Sequence, residues 1–146
     1  MRIEVLDERC KPYLGSSGAA GIDLRARCLG KVAPASLLPG TKYIFGLGIK
    51  TNIPVGWVGL VTPRSGQGFN YEVTLANTIG VIDSDFEGEW KAAVVVRGPT
   101  PMPFKEFDRI CQLVVVPHYD YEVIVYDKIL IGSERGSNGL GSSGVE

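Results

Sequence analysis

Histidine is almost missing from this sequence of 146 residues, which contains only His118. A Ser–His–Asp triad needs a histidine as its general base, and a histidine-based zinc site needs several imidazole ligands. The composition therefore gives no basis for either kind of site. A Walker phosphate loop is missing as well, because Lys50 and Thr51 follow Ile49 where that motif requires glycine.

Cysteine is scarce and irregularly spaced. Cys10, Cys28 and Cys111 form an odd set without a CxxC pair. Disulfide frameworks of secreted domains and cysteine metal sites both follow more regular patterns. We expect three reduced thiols in a cytoplasmic protein that is not secreted. One disulfide with a spare thiol is the alternative.

Strong net charge and long apolar runs are absent too. Lys and Arg number 15 against 16 Asp and Glu, a net charge of −1, so there is no basic field for duplex nucleic acid. The N-terminal residues MRIEVLDERC lack the apolar core of a signal peptide. No apolar run approaches the ~20 residues of a membrane-spanning helix. We expect neither a nucleic-acid partner nor a membrane partner.

Short apolar runs separated by turn residues dominate the chain. Its 19 glycines and 9 prolines are spread throughout, and the runs between them are rich in Val, Ile and Tyr, which favours strands. The predicted strands are residues 2–6, 57–62, 92–97, 110–117 and 121–126, with 46–52 and 73–76 as weaker candidates. Helical spacing of apolar residues is absent, and one short helical turn fits around residues 66–69. The length predicts one domain, and the pattern an all-β sandwich or barrel.

Two stretches refine this fold prediction. Residues 113–116 are apolar at every position, which predicts a strand enclosed between layers or between subunits. Residues 132–144 form the one low-complexity stretch, rich in Gly and Ser. We therefore expect a folded core over residues 1–132 and a flexible C-terminal arm over residues 133–146.

The stretch GVIDSDFEGE, residues 80–89, is the most informative motif. It holds four acidic residues within seven positions, directly after the apolar pair Val81 and Ile82. A purely structural turn rarely needs so much negative charge beside an aromatic ring, here Phe86. A carboxylate at the end of an apolar strand can orient a water molecule for attack. The motif therefore indicates Asp83 as a candidate catalytic residue.

Two shorter motifs are ambiguous when taken singly. PRSG, residues 63–66, follows a predicted strand. It is either an ordinary turn or an anion site in which Arg64, Ser65 and the Gly66 N–H converge. In GAAGIDLR, Asp23 alternates with apolar neighbours. It is either a strand residue that faces water or an acidic group near a metal or near Arg64.

Two further motifs also carry a structural alternative. Gln112 lies within the apolar stretch DRICQL, where its amide must be hydrogen-bonded. It is either a satisfied core residue or a ligand to phosphate. The tail RGSNGLGSSG, residues 135–144, is either a disordered end or a segment that folds over a polyphosphate.

The ordered set of GAAGIDLRA, PRSG, NTIGVIDSDFEGE, DRICQLVV and RGSNGLGSSG strongly resembles the five motifs of the homotrimeric dUTPases, the deoxyuridine 5′-triphosphate nucleotidohydrolases. The resemblance covers about residues 18–144 and includes phage-type members. It implies a jelly-roll-like β subunit and a threefold trimer in the cytoplasm, or in the host cytoplasm if a phage encodes the chain. It also implies active sites shared by three chains, with the tail of one closing over a site made by the other two.

The reaction implied by the resemblance converts dUTP and water to dUMP and pyrophosphate, with Mg²⁺ on the triphosphate. It lowers dUTP and supplies the precursor of dTMP. The resemblance assigns three catalytic residues: Asp83 to activate water for attack on the α-phosphorus, with Gln112 and Arg64 at the phosphates. It places Asp23 near the water shell of the metal. The substrate-binding residues it implies are Arg64, Ser65 and Gly66 at the phosphates, Asn77, Gly80, Val81, Ile82 and Lys91 around uracil, Asp83, Phe86 and Gln112, and Arg135, Ser137, Leu140, Gly141, Ser142 and Ser143 in the tail.

Three positions depart from the family pattern. Phe86 stands where a tyrosine is usual, so the ring under the deoxyribose remains while a hydroxyl hydrogen bond is lost. Leu140 replaces the usual aromatic residue of the tail. Asn138 replaces a common glycine, which matters little because Asn tolerates the left-handed backbone conformation. We expect discrimination against UTP to survive and tail closure to be weaker.

Three other functions compete with dUTP hydrolysis. The related dCTP deaminases need a glutamate where this chain has Ala93, which cannot transfer a proton. A non-enzymatic, nucleotide-gated regulator with a further protein partner is the second. The presence of Asp83, Arg64, Gln112 and Arg135 favours catalysis and leaves room for a second binding role. A plain β-sandwich recognition module would leave the acidic cluster and the Arg-Gly-Ser tail without a role.

Overall fold

The computed structural model describes residues 1–30 and 32–119. Short strands dominate this part of the chain, with one α-helix and one 3-10 turn at Glu8–Cys10. The elements are β1 Arg2–Val5, β2 Tyr13–Leu14, β3 Ile22–Arg25, β4 Arg27–Cys28, β5 Ser36–Leu37, β6 Lys42–Gly46, β7 Ile49–Asn52, β8 Trp57–Pro63, α1 Ser65–Tyr71, β9 Val73–Leu75, β10 Gly80–Ile82, β11 Lys91–Val96, β12 Met102–Pro103 and β13 Arg109–Pro117.

Two antiparallel sheets form the main layers. One has five strands in the order β10-β8-β13-β3-β2, and the other has four in the order β4-β6-β11-β9. The smaller pairs β1-β7 and β5-β12 complete the fold. Apart from β2 and β3, neighbouring strands in the two main sheets are not consecutive along the chain, as expected for a jelly-roll-like topology. The all-β prediction is confirmed.

The core lies between the two main sheets. In β11 every second side chain is buried, because successive side chains of a strand point to opposite faces. Leu24 of β3, Val61 of β8 and Leu113 of β13 enter the same cluster from the other sheet. Trp90, just before β11, is fully buried in it. The residues that carry polar chemistry are therefore left on outward faces and strand ends.

Most predicted strands are confirmed within one or two residues. The exception is residues 46–52, where the chain bends at Leu47 and Gly48 before β7 begins. Gly48 has φ +61, and a Cβ there would lie 2.6 Å from the Cys10 side chain, so the bend requires glycine. The predicted helical turn is a helix, Ser65–Tyr71, which ends at Glu72 in the left-handed conformation. The predicted strand at 121–126 and the arm at 133–146 lie outside the described residues.

The outward face of the five-stranded sheet is apolar near β10. Val114 of β13 is aligned with Leu60 of β8, which is aligned with Val81 of β10. Leu113 is fully buried, whereas Val114 and Val116 keep partial exposure in the single chain. Layers therefore enclose one face of this strand, and the other remains accessible. No helix in the described residues is long and apolar enough to cross a membrane.

Candidate active site

Asp23 is the centre of a polar cluster on the outward face of the five-stranded sheet. In β3 it alternates with buried Leu24, and the sheet register places it opposite Gln112 of β13. Its Oδ1 accepts a hydrogen bond from Arg64 Nε at 2.9 Å, and its Oδ2 accepts one from Arg109 Nη1 at 3.0 Å. One largely buried carboxylate thus holds two guanidinium groups. We call Asp23, Arg64, Arg109 and Gln112 the Asp23 cluster.

A β-bulge brings Arg109 into this cluster. Strict alternation would place Arg109 and Gln112 on opposite faces of β13, because they are three residues apart. The pairing with β3 shifts between Arg109 and Cys111, and both Ile110 and Cys111 are fully buried. The extra residue turns Arg109 to the outward face. Its guanidinium also lies 4.6 Å from the centroid of the Tyr13 ring, a cation–π distance.

Gln112 is fixed by backbone contacts. Its Nε2 donates to the carbonyl of Pro63 at 2.9 Å. A Cβ at Gly21 would clash with Gln112 Oε1, so the side chain occupies space that only glycine leaves. The carbonyl of Arg109 accepts from both Arg64 Nη1 at 3.2 Å and Gln67 Nε2 at 2.9 Å. The side chains of Arg64, Gln67 and Gln112 thus join the end of β8 and the start of α1 to β13.

Ser65 and Gly66 begin α1 directly after Arg64, and both are exposed. A Cβ added at Gly66 would meet no atom within 4 Å. The packing of the described chain therefore does not require this glycine. The open space beside the backbone leaves room for a ligand close to Arg64.

Asp83 lies in a second, more open region, the Asp83 segment, which we define as residues 77–90. Asp83 follows β10, and its carbonyl accepts from Phe86 N–H at 3.2 Å in a tight turn. The side chain lines an open groove of about 430 Å³ together with Val81 and His118. Another groove, about 570 Å³ around Cys28 and Ile44, lies on the other sheet, and its lining within the described residues includes none of the predicted site residues.

Phe86 is also close to the protein surface, with 44% of the residue exposed. Its ring lies over Gly88, where a Cβ would come within 2.6 Å of a ring atom. Glycine at this position is therefore needed for the observed ring placement. One face of the ring is packed on backbone, and the residue still has surface to offer to a ligand.

Asn77 and Lys91 are carried by neighbouring parts of the four-stranded sheet. Ala76 N–H donates to the Ala93 carbonyl at 2.8 Å, which continues the pairing of β9 with β11. Both Asn77 and Lys91 are exposed. Thr78 adopts φ +65, which is strained for a β-branched residue and is stabilised by its N–H to the Leu75 carbonyl at 3.0 Å. The chain thus makes a sharp turn before Gly80.

The two regions lie at different ends of the β8 pairing. Ile82 of β10 is aligned with Gly59, whereas Arg64 comes five residues further along the chain, roughly 16 Å away at the usual rise of a strand. The structure therefore brings Asp23, Arg64 and Gln112 together, and carries Asn77 and Lys91 on paired elements, but it does not bring Asp83 to Arg64 within one chain. The predicted tail residues Arg135, Ser137, Leu140, Gly141, Ser142 and Ser143 lie outside the described residues.

Three residues of these regions were assigned no role from the sequence: Thr78, Arg109 and Glu89, the last of the four acidic residues in GVIDSDFEGE. Glu89 accepts from Arg27 Nη2 at 2.7 and 2.9 Å and from Gly48 N–H at 3.1 Å. The sequence offers no pairing signal for Glu89 and Arg27, which are 62 positions apart. Strict alternation along β13 would not place Arg109 on the outward face, because it does not account for the bulge. Nothing in the sequence indicates the left-handed backbone of Thr78.

The three cysteines are free thiols, as predicted. Burial raises the pKa of Cys111 to about 12, and the charge of Asp23 adds to this effect. Burial likewise raises the pKa of Cys10 to about 11. Thiols with such pKa values carry little thiolate at neutral pH and are poor nucleophiles. Cys10 and Cys111 therefore contribute packing rather than chemistry.

The described residues contain no group of three or more His, Cys, Asp or Glu side chains placed to hold a metal ion. Both oxygens of Asp23 already accept hydrogen bonds from arginines. This donor set does not make a protein cage for Mg²⁺. It fits an ion bound by substrate phosphates that keeps several waters, with a protein carboxylate at its margin.

Comparison with known proteins gives a consistent result. A family model described as dUTPase matches residues 9–144. The deoxyuridine 5′-triphosphate nucleotidohydrolase of Escherichia phage T5 is 40% identical over 147 residues, covering 99% of this chain and 98% of that protein. The enzyme of the same name from Burkholderia mallei is 38% identical over 146 residues, covering 97% and 96%.

Solved structures show the same fold. The dUTPase of Staphylococcus bacteriophage 80alpha, a point variant determined with dUpNHpp, superposes with a TM-score of 0.80 at 22% identity and covers 99% of this chain and 98% of that one. A point variant of the phage phi11 dUTPase, described with a structural Mg(II) ion, gives a TM-score of 0.70 at 20% identity, covering 87% and 96%. By the family match and the identity to its relatives, the chain belongs to the dUTPase family.

Proposed function

We propose that this protein hydrolyses dUTP to dUMP and pyrophosphate at sites shared between the chains of a homotrimer. The observation that carries the proposal is the separation along β8. A fixed pair of arginines around Asp23 lies at one end, and an exposed turn that carries Asp83 lies at the other. The arginines and the Asp83 turn each supply half of the groups that the reaction needs, so the other half must come from a neighbouring chain. The activity lowers dUTP and supplies the precursor of dTMP.

The Asp23 cluster provides the phosphate side of the proposed site. Cleavage of a triphosphate builds negative charge on oxygens, and positioned arginines stabilise it without reorganising. Arg64 is held by Asp23 through Nε, which directs the rest of the guanidinium. Ser65 and the Gly66 N–H lie beside it in open space. Gln112 completes this side and holds the α-phosphate region.

The Asp83 segment provides the base side. Backbone groups of Gly80, Val81 and Ile82, with the Asn77 amide and with Lys91 at the edge, match the acceptor–donor–acceptor edge of uracil. Cytosine carries a donor at position 4 and an acceptor at N3, so two of the three groups are reversed and protein groups would be left unpaired, a costly mismatch. The methyl group of thymine would meet the tight backbone turn. Phe86 packs under the deoxyribose and leaves no room for a 2′-hydroxyl.

Asp83 performs the chemical step on the base side. Its carboxylate orients a water molecule and accepts its proton as the oxygen attacks the α-phosphorus. The bond from the α-phosphorus to the bridging oxygen breaks, and pyrophosphate leaves. The position of Asp83 beside a groove supports this role, because the groove gives a ligand access to the side chain.

Asp23 would lie at the margin of Mg²⁺ held by the triphosphate, and the ion would supply neutralisation of part of the phosphate charge. The donor set supports this arrangement, since the Asp23 cluster as described offers one carboxylate, that of Asp23. Asp23 is proposed to accept hydrogen bonds from water around the ion while it also holds Arg64 and Arg109.

The outward apolar face of the five-stranded sheet supports the trimer. Leu60, Val81, Val114 and Val116 keep exposed apolar surface in the single chain, and Trp57 at the start of β8 is 42% exposed. Contact with a second chain would remove this surface from water at roughly 25 cal/mol per Å². The folded core is proposed to extend over residues 1–132, and residues 133–146 to close over the site of neighbouring chains.

One assay tests the reaction. The purified chain is incubated with Mg²⁺ and, separately, dUTP, dCTP, dTTP or UTP, and pyrophosphate is measured. We expect release from dUTP alone. Equal release from dCTP or UTP, or ammonia from dCTP, would contradict the proposed specificity.

A mixing experiment tests the shared site. Asp83→Asn and Arg64→Ala are each expected to be inactive, because each lacks one half. Co-refolded mixtures of the two should regain activity, since some sites combine an intact Asp83 from one chain with an intact Arg64 from another. Mixtures without activity would contradict a site shared between chains.

A further inference from the structure

The C-terminal end of the Asp83 segment is fastened by Glu89. This carboxylate accepts two hydrogen bonds from Arg27 Nη2 of β4, at 2.7 and 2.9 Å, and one from Gly48 N–H, at 3.1 Å. A Cβ at Gly46 would lie 2.7 Å from Glu89 Oε1, so the carboxylate is seated directly against the β6 backbone. Glu89 therefore ties the segment to β4, to the end of β6 and to the bend before β7.

The next residue strengthens this attachment. Trp90 N–H donates to the Ile49 carbonyl at 3.1 Å, and the Trp90 carbonyl accepts from Leu47 N–H at 2.8 Å. The Trp90 side chain is fully buried. Residues 89–90 thus form a fixed anchor at one end of the segment. The other end is fixed by β10, which pairs with β8 through Ile82.

Residues 83–88 span the distance between these anchors. Their described contacts are mainly local: the turn from Phe86 N–H to the Asp83 carbonyl, and the Phe86 ring over Gly88. Asp85, Phe86 and Glu87 are exposed. None of the residues in this span is buried in the core, so their placement depends on where the two anchors hold the ends.

Glu89 and Arg27 form an ion pair that is partly shielded from water. The side chains are 20% and 31% exposed, so water screens the pair only in part. Burial by itself would raise the pKa of Glu89, but the hydrogen bonds from Arg27 and Gly48 outweigh it and lower the pKa. Arg27 Nε has no hydrogen-bond partner within the described residues. Loss of the Glu89 charge would leave the guanidinium poorly compensated.

We propose that Glu89 is a positioning residue for the active site, which acts with Arg27 to hold Phe86 and Asp83 in their working places. The inference rests on the proposed function, since it assigns these two residues to the sugar and to the water. Displacement of the Phe86 ring opens space for a 2′-hydroxyl, and displacement of Asp83 misaligns the water. Glu89 therefore sets both sugar discrimination and turnover without touching the substrate.

The test compares Glu89→Gln with the matched control Glu87→Gln, which removes an exposed acid two residues away in the same segment. Both amides preserve side-chain size. For Glu89→Gln we expect kcat for dUTP to fall roughly 10- to 100-fold, because small displacements of reacting groups have effects of this order. We expect the ratio of kcat/KM for dUTP over UTP to fall by roughly 5-fold or more. The control should retain both values.

Arg27→Met removes the guanidinium partner of Glu89 and so breaks the same contact. It should reproduce the kinetic changes of Glu89→Gln, and the double variant should be no worse than the more affected single variant, because the two residues act as a pair. If Glu89→Gln melts below the assay temperature, Arg27→Lys takes its place, since it keeps the positive charge but loses the planar guanidinium.

The readouts separate positioning from simple stabilisation. A lowered melting temperature together with unchanged kcat and an unchanged dUTP-to-UTP ratio would overturn the inference while the proposed function stands. A wild-type chain that releases no pyrophosphate from dUTP would overturn the proposed function and the inference with it. Parallel loss of turnover and sugar discrimination in Glu89→Gln and Arg27→Met, with Glu87→Gln unaffected, supports the inference.

Discussion

The Asp23 cluster and the Asp83 segment differ in how they are held. In the cluster, Asp23 has 15% of its side chain exposed, and its two arginines are fixed by hydrogen bonds to it, with a further one from Arg64 to the Arg109 carbonyl. In the segment, Phe86 is exposed, Asp83 lines an open groove, and the anchors lie at the ends. The charges that would meet phosphate are thus built into the folded chain. The groups that would meet base, sugar and water lie on or beside the turn of residues 83–88, which is held mainly at its two ends.

This difference has a physical reason. Arginine side chains lose much rotamer freedom when they bind an anion, and prior hydrogen bonds reduce that cost. A carboxylate that activates water has the opposite need, because strong donors around it would lower its basicity. A chain that performs both tasks therefore keeps its cations in a network and its base at a strand end, away from that network.

Removal of the base should have the largest effect. Asp83→Asn keeps the shape of the turn but cannot accept a proton, so turnover should fall roughly 10²- to 10⁴-fold while dUTP binding persists. Single-turnover kinetics and calorimetric titration with Mg²⁺ and dUTP measure the two quantities. A variant with near-normal turnover would show that the base is assigned to the wrong residue.

Deletion of the chain after Ser133 should have the next largest effect. The open space beside Ser65 and Gly66 is where the tail is proposed to close, and loss of its donors should lower turnover roughly 100-fold. Size-exclusion chromatography should show an unchanged assembly. A truncated chain with full activity would mean that the tail is only an extension.

Loosening the cluster should have a smaller effect. Asp23→Asn removes the shared anion of Arg64 and Arg109, so we expect the KM for dUTP at saturating Mg²⁺ to rise roughly 10-fold with a smaller change in kcat. Arg109→Met serves as the companion variant and should shift KM in the same direction. If Asp23→Asn instead changes only the Mg²⁺ concentration required, its role lies with the metal.

Lowering the pH should weaken the stabilising contact of Glu89, and we expect this to be the smallest of these effects. The pKa of Glu89 is lowered in the folded chain, so its contribution to stability is present above the ordinary pKa of a glutamate and is lost as pH falls through the folded value. The difference in unfolding free energy between wild type and Glu89→Gln, about 1 kcal/mol near neutrality, should therefore shrink between about pH 5 and pH 3 in urea titrations. A difference that stays constant with pH would contradict this electrostatic account.

Much of the fold could be predicted because strands follow local rules. Period-two burial and β-branched composition locate β8, β11 and β13 closely. The bend at Gly48 could not be predicted, since its cause is the side chain of Cys10, which lies far earlier in the sequence. Helix α1 is longer than the predicted turn because its hydrogen bonds continue to Glu72 without an apolar period.

Contacts in the candidate site could be predicted where a residue belongs to a motif and not where they depend on register. Asp23, Arg64 and Gln112 come from three motifs, and the sheet places them together. Arg109 could not be assigned, because a bulge reverses its direction. Glu89 could not be assigned either, since its partners come from β4 and from the bend before β7.

The spacing of Asp83 and Arg64 along β8 has a consequence for how the rate depends on protein concentration. If no single chain carries a whole site, dilution separates the chains and destroys the active sites, in addition to lowering the protein concentration. For the proposed trimer, activity would grow with the cube of chain concentration well below the concentration at which chains associate, and linearly above it. A cell would then gain this activity abruptly as the protein accumulates.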